Sequence, residues 1–429
     1  MRAVLRRTAR LLLFAALVLG AAACDGDGPA SNATPTRTDA EPVSVLGIWS
    51  GEELASFEAM LSGWDGAMDF TGTRDITTVL ATRVSAGNPP DIAIPAEIGS
   101  LGRFARAGAI VPLSACEGLE PLVRSKYPQA FLDLATVDGI LYGFFMKADS
   151  KATIFYNPRV LEASGVGPLG DQGTLEDLLT LADAITASGT PAWSMGQEAG
   201  GGSGFPGSDT IQQILLNEAG ADVYDGLVAG RIPFTDPRVR AAWEAFGAIA
   251  LKPGAVAQGD GPAINSANFE EAATLPFEDP PRAAMVALGS FASGFIGDRF
   301  PEAEPGKDFD FFTWPGGAVT GGANVAFAFN SDPETCSLLR HMASAEAQTV
   351  WVKRGGFISL NIDVALEDYP DAVARQLAER LTAAQVFRFD LDDAIGGAVQ
   401  QAIFRGVLDY LAGPSQLDAI LQRIEDRRR

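Results

Sequence analysis

Along most of the chain, short apolar runs of strand length alternate with longer stretches whose apolar residues recur three and four positions apart. VSVLGIW (Val43 to Trp49) predicts a strand, and SGEELASFEAMLSGW predicts a helix with Leu54, Phe57 and Leu61 on one face and a Ser50/Glu53 capping box. DIAIP predicts the next strand, and LGRFARAGAIVPL a short helix running into a loop. Thr174 and Asp177 cap TLEDLLTLADAITASG, with Leu175, Leu178 and Ala182 facing inward. Asp236-Pro237 begins a helix that buries Val239, Ala242, Trp243 and Phe246; Asp332-Pro333 begins another, and Ser415 with Asp418 boxes the last. ATIFYN, DFDFFTW and ANVAFAFN are strand-like. Helices alternating with short apolar strands imply α/β layers with mostly parallel sheets.

Length and charge narrow the function. A chain of 429 residues is longer than one core usually serves, so two lobes are expected. The net charge of −22 disfavours nucleic acid and anionic membrane surfaces as partners of the bulk protein. His341 is the one histidine, which leaves a His base or a His-rich metal site a single candidate, more simply read as a surface or partly buried residue on a helix. No Gly-x-Ser-x-Gly elbow, His-Glu-x-x-His helix, Cys-x-x-Cys or P-loop is present, so neither catalysis nor nucleotide binding has specific support, and no cofactor or metal is implied. Acid pairs such as Glu278-Asp279 and Asp392-Asp393 suit a glycosidase, but a chain with 54 acids supplies such pairs by chance.

Arg2, Arg6, Arg7 and Arg10 precede the apolar run Leu11 to Leu19, and small residues follow up to Cys24, the pattern of an export signal. It resembles a bacterial lipoprotein signal over residues 1–23, with Cys24 as the lipidated first residue and Ala21 departing from the usual Leu; the alternative is an ordinary cleaved signal. Residues 24–41 are turn formers and polar residues, a flexible tether. Cys116 and Cys336 remain, as a disulfide of an exported protein or as two buried thiols.

Pro191 to Asp209, PAWSMGQEAGGGSGFPGSD, sets Trp193 and Phe205 beside Glu198 and Asp209 in a glycine-rich loop. Flat apolar faces with fixed acceptors are what a sugar requires, since it presents C–H faces and hydroxyl donors. The simpler readings are core for Trp193 and a capping box with Gln212 for Asp209.

Seven segments, SVLGIWSGEELASFE, NPPDIAIPAE, LGRFARAGAIVPL, GFFMKADSKATIFYNP, TPAWSMGQEAG with GFPGSD, IPFTDPRV and RGGFISLNIDVALEDYPD, together resemble the extracellular solute-binding proteins of ABC sugar importers, most of all their α-glucoside-binding branch. The resemblance implies a two-lobed α/β periplasmic-binding-protein fold of class II type, with three interlobe crossovers and a ligand cleft. Projected here, residues 42–148 and 321–355 form lobe one, and 153–317 and 358–429 lobe two. Both cysteines then fall in lobe one, which favours the disulfide. The implied ligand residues are Glu52, Asp91, Lys147, Lys151, Trp193, Glu198, Phe205, Asp209, Trp314, Gly322 and Phe357. The implied activity is capture of an α-glucoside or related oligosaccharide by lobe closure and delivery to an ABC permease, by a monomer held at the outer face of the cytoplasmic membrane through lipid. Alternatives are another polar solute such as a glycerophosphodiester, against which the lack of clustered Arg counts, an exported glycosidase, or a structural lipoprotein.

Overall fold

The structure, a computed structural model, describes residues 41–170 and 172–428; the signal, Cys24 and the tether up to residue 40 lie outside the described residues. The compact unit comprises Glu41–Arg429. It opens with β1 (Val43–Gly47), α1 (Gly51–Met60), β2 (Met68–Gly72), α2 (Ile76–Ser85), β3 (Ile92–Ile94) and α3 (Gly99–Arg106). β1 pairs in parallel with β2 on one side and β3 on the other, because a helix returns the chain to the same end of the sheet each time.

Strand Val319–Ala328 lies antiparallel to β3 and to strand Gly143–Ser150, and Phe387–Phe389 joins its other end in parallel. A second sheet holds Asp310–Thr313, Thr153–Tyr156, Met285–Ala287 and Trp193–Ser194, in that order. Both sheets are mixed, where the alternation predicts mostly parallel ones. Two strands enter directly from the other sheet, Thr153–Tyr156 after Gly143–Ser150 and Val319–Ala328 after Asp310–Thr313, with no intervening helix to reverse the chain. Phe387–Phe389, inside the segment assigned to lobe two, pairs with the edge of the first sheet.

The core forms where periodicity puts it: Phe57 and Leu61 are buried under α1, and Val239, Ala242, Trp243 and Phe246 along Pro237–Ala250. Trp49 is fully buried against Phe57 and Trp351, with ring centroids 4.9 Å from each.

Thr174 and Asp177 make the expected reciprocal box, and Asp236 caps its helix. Ser50 makes no side-chain cap, because the Glu53 carboxylate that would complete the box turns away toward two cations. Ser415 sits in the 3₁₀ turn Pro414–Gln416 while Asp418 pairs with Arg240, so the last helix has no box either. His341 hydrogen-bonds through Nε2 to the Met60 carbonyl at 3.0 Å. Cys116 and Cys336 are joined in a disulfide, with Cα atoms 5.2 Å apart.

Candidate functional site

The carboxyl ends of the parallel strands aim side chains at one place, as open α/β sheets do. Trp49 follows β1, Arg74 follows β2 and Glu97 follows β3; Lys147, Asp149 and Lys151 lie at alternate positions of one extended run and so share a face. From the other side, helix Phe205–Ala219 contributes Phe205 and Asp209, one turn apart, and Phe291 and Phe295 stand at the start of helix Ala292–Arg299. Asp390, Asp392 and Asp393 close the floor just past Phe387–Phe389. Together these residues line a cavity of about 130 Å³.

Its cations are all engaged. Lys147 Nζ lies 2.7 Å from Glu53, Arg74 bridges Glu53 and Glu270 at 3.2 Å each, and Lys151 Nζ lies 2.8 Å from Asp209. Burial would raise Glu53, but Lys147 and Arg74 more than reverse it and hold the carboxyl below its usual range. Burial alone would likewise lower Lys151; Asp209, followed by Asp390, Asp149 and Asp393, holds its ammonium above the ordinary range. Lys151 also stands over the rings of Phe205 and Phe291, at 5.4 and 5.2 Å from the centroids.

Carboxyls outnumber these cations. Asp392 accepts from Ser208 and, at 2.6 Å, from Gln212; Asp393 accepts from Gln400 at 2.7 Å. Burial and then Asp390 push Asp392 and Asp393 well above the carboxylate range, and burial pushes Asp209 up against the pull of Lys151. Oxygens of Asp209, Asp390 and Asp392 lie within 4.8 Å of one another, a spacing a cation would bridge, and the Lys151 ammonium already supplies positive charge there.

A set of polar atoms is left over. Trp49 Nε1, both carboxyl oxygens of Glu97, Asp149 Oδ1 and Asp390 Oδ1 are buried, belong to residues lining the cavity, and have no hydrogen-bond partner among the described residues. Buried groups of this kind cost stability unless something else satisfies them.

The raised carboxyls fix the sign of a pH response. In the folded chain Asp393 keeps a proton that the unfolded chain releases near the ordinary value of 3.8, so its contribution is present in acid and is lost as pH rises from there through the raised value. Asp392, Asp149 and Glu97, lifted first by burial, act in the same direction; Glu53, held down, acts in the opposite one. We therefore expect the unfolding midpoint to fall from about pH 5 to about pH 8, and Asp393→Asn, which keeps an acceptor for Gln400, to flatten that fall. An unchanged slope in the variant would contradict the assignment.

Of the residues expected to bind ligand, Lys147, Lys151, Phe205 and Asp209 line the cavity. Gly322 adjoins it: a Cβ there would lie 3.5 Å from Lys151 Cε and 3.8 Å from an Asp393 oxygen. Asp209 is no cap, since its helix begins at Phe205 and buries it in the first turns. Glu52 stands on the wall of an adjoining chamber. Glu198 lies outside the cavity lining; its carboxylate accepts from Asn268 at 2.9 Å and from the Gly200 N–H at 3.0 Å.

Four residues are elsewhere. Trp193 is 1% exposed in the second sheet, where its strand pairs with Met285 and Val286, so the simpler core reading holds. Trp314 is buried, and its backbone N–H donates to the Ala152 carbonyl at 3.0 Å. Phe357 packs on Trp351 with centroids 5.0 Å apart. Asp91 precedes β3 and so sits at the strand end away from the cavity, accepting from the Ser44 N–H and hydroxyl at 2.8 Å each.

Sequence reading missed Trp49, Glu53, Arg74, Glu97, Asp149, Phe291 and Asp390 as site residues. Glu97 and Arg74 each follow a strand, a signal that was available; Asp149 lies midway between Lys147 and Lys151 in MKADSK. Asp392 and Asp393 were visible as an acid pair without any sign of what they face.

Two mixed sheets with a polar, ring-lined cavity fed by both define a small-solute binding protein. A profile of bacterial extracellular solute-binding proteins matches residues 55–377, and the chain belongs to that family. Like the family, it is a receptor and not an enzyme. It is 32% identical to the osmoprotective compounds-binding protein of Synechocystis sp., over 90% of this chain and 91% of that one. It is 28% identical to the alpha-glucosides-binding periplasmic protein of Rhizobium meliloti, over 88% and 85% respectively. In fold it resembles a protein solved in a study of xylan utilization by Caldanaerobius polysaccharolyticus, with TM-score 0.77, 15% identity and coverage of 91% and 100%. Among the described residues no helix is long and apolar enough to cross a membrane.

Proposed function

We propose that the protein captures an α-glucoside or related neutral saccharide and delivers it to the permease of an ABC transporter, tethered outside the cytoplasmic membrane by lipid on Cys24. The observation that carries this reading is the set of unpartnered buried acceptors on Glu97, Asp149 and Asp390, with the Trp49 N–H donor, around a cavity also lined by the rings of Phe205, Phe291 and Phe295. Sugar hydroxyls satisfy the acceptors, and the C–H face of the ring meets the phenylalanines. The relatives that bind osmoprotective compounds and α-glucosides support the same class of solute. An anionic solute such as a glycerophosphodiester fits poorly, because Arg74, Lys147 and Lys151 are each already paired with carboxylates.

In this reading residues 42–148 with 321–355 and 153–317 with 358–429 are the lobes of a monomer. The saccharide touches both and favours the closed form, which the permease engages. Arg74 is suited to hold that form, since it joins Glu53 of the first lobe to Glu270 of the second.

Thermal unfolding of residues 41–429 against mono-, di- and trisaccharides, polyols and glycerophosphodiesters tests it. A saccharide at 100 times its Kd stabilises by about 2.7 kcal/mol. Glu97→Ala removes the unpartnered carboxyl from the cavity wall and weakens that saccharide by about tenfold. No shift with any saccharide, from folded and ligand-free protein, would remove the proposal.

A further inference from the structure

Phe205 and Asp209 account for the end of the glycine-rich stretch Pro191 to Asp209, but not for its glycines. Ala199 and Gly202 line the cavity, as Arg74 does, and the 3₁₀ turn Gly200–Gly202 sits at that edge of it. There Gly201 meets Asp75, the residue before α2, with no room for a side chain. A Cβ on Gly201 would fall 2.7 Å from Asp75 Cβ and 3.0 Å from Asp75 Cα, well inside the roughly 3.5–4.0 Å at which carbon atoms attract. Gly200 lies beside Arg74, where a Cβ would be 3.9 Å from Arg74 Cβ. In the division into lobes given above, residues 74 and 75 belong to one lobe and residues 200–202 to the other, so a bare main chain rests on the opposite lobe.

The turn is held in place within its own lobe. Glu198 accepts the Gly200 N–H at 3.0 Å with one oxygen and the Asn268 amide at 2.9 Å with the other. The Ser203 hydroxyl accepts the Ala199 N–H at 3.0 Å and donates to the Gly200 carbonyl at 2.8 Å. At the far end, a Cβ on Gly204 would fall 2.3 Å from the Phe404 carbonyl oxygen, so the loop lies flat on helix Gly397–Ala412. Glu198, which the resemblance puts on the solute, acts here as a positioning residue for the loop.

Backbone conformation sets Gly201 apart from its neighbours. Gly200 and Gly204 have φ of +60° and +105°, values that strain any other residue whether the lobes are open or closed. Gly201 lies outside that region, so alanine fits at 201 until Asp75 arrives. A methyl group there penalises the closed form alone, and only such a differential interaction shifts an equilibrium between two forms.

We propose that Gly201 is the closure seat of the receptor: its missing side chain lets the loop settle on Asp75, which fixes how far the lobes close and how slowly a captured solute leaves. This rests on the lobe-closure reading above and adds to it the residue pair that sets the closed position.

Rapid-mixing tryptophan fluorescence with glucose, maltose and trehalose, together with urea unfolding of the ligand-free protein, tests the seat. Gly201→Ala is expected to leave the ligand-free urea midpoint and the association rate as in the parent, and to raise the dissociation rate of whichever sugar binds by about tenfold. Adding Asp75→Gly, a replacement that a helix N-cap tolerates, recovers part of that loss because the opposing Cβ is gone. A parental dissociation rate in Gly201→Ala, or a loss that Asp75→Gly does not relieve, overturns the seat and leaves the saccharide reading standing. A second arm needs no ligand. The two Cβ positions are nearer than the roughly 3.5–4.5 Å that a disulfide spans, so Asp75→Cys with Gly201→Cys is expected to cross-link in oxidised glutathione as the loops begin to part, with the joined peptides identified by mass spectrometry. No cross-link overturns the contact. A cross-link in a protein that binds none of the three sugars, with the negative panel described above, removes the saccharide reading and keeps the seat.

Discussion

Lys151→Met is expected to lower the stability of the ligand-free protein by about 3–5 kcal/mol near neutral pH, the cost of removing one partner of a buried ion pair. Its ammonium and the Asp209 carboxylate are 9% and 6% exposed and 2.8 Å apart, and Asp149, Asp390 and Asp393 also act on it. Methionine fills much of the same volume, so the loss reports charge rather than a cavity. With the ammonium gone, Asp209 faces Asp390 and Asp392 with nothing opposite it and has to take up a proton or leave its site. The deficit therefore shrinks as pH falls and protons are supplied. Adding Asp209→Asn to Lys151→Met is expected to recover most of the loss, because the uncompensated charge goes with it. Urea midpoints at constant m-value measure all three proteins. A single-variant loss below about 1 kcal/mol, or a double variant no better than the single, would mean that the pair does not hold the floor of the cleft together.

The second large effect concerns the disulfide. Cys116→Ser with Cys336→Ser is expected to cost about 2–5 kcal/mol, the usual range for removing a native bridge. The bridge closes a loop of 220 residues, for which chain entropy alone sets an upper figure of about 5 kcal/mol. It ties the turn Leu113–Ala115 to helix Pro333–Ala343, and neither cysteine lines the cavity. Saccharide affinity well below the new midpoint should accordingly stay within about twofold of the parent, while the unfolding midpoint drops in the variant and in the reduced parent alike. A midpoint unaffected by reduction would show that the two thiols are unpaired in solution.

Both effects depend on distance along the chain in a way that explains what was legible beforehand. The helix over Pro237–Ala250 was readable from Asp236-Pro237 and the spacing of Val239, Ala242, Trp243 and Phe246, because cap chemistry and a 3.6-residue period act within one turn. Lys147 and Lys151 were readable from the resemblance, and Asp149 between them follows from strand alternation. Ser50 with Glu53 and Asp209 with Gln212 show the limit. Each has the spacing of a capping box, yet Glu53 is claimed by Lys147, 94 positions later, and Asp209 by Lys151, 58 positions earlier. A charge-assisted contact in a buried site outweighs a local cap on an exposed turn.

By itself, then, the sequence determined the strand and helix alternation, the apolar faces, the two cysteines available for pairing and the family. Those features depend on neighbours a few residues apart or on an ordered series of segments. Tertiary structure alone decided that Trp193 belongs to the core, that Asp91 lies at the wrong end of β3, and that Glu97, Asp390 and Trp49 meet around one cavity with unspent hydrogen bonds. The physical reason is that desolvation and charge pairing act through space. Which carboxylates are buried together, and which ammonium faces them, is settled only when the strand ends converge on the same cleft.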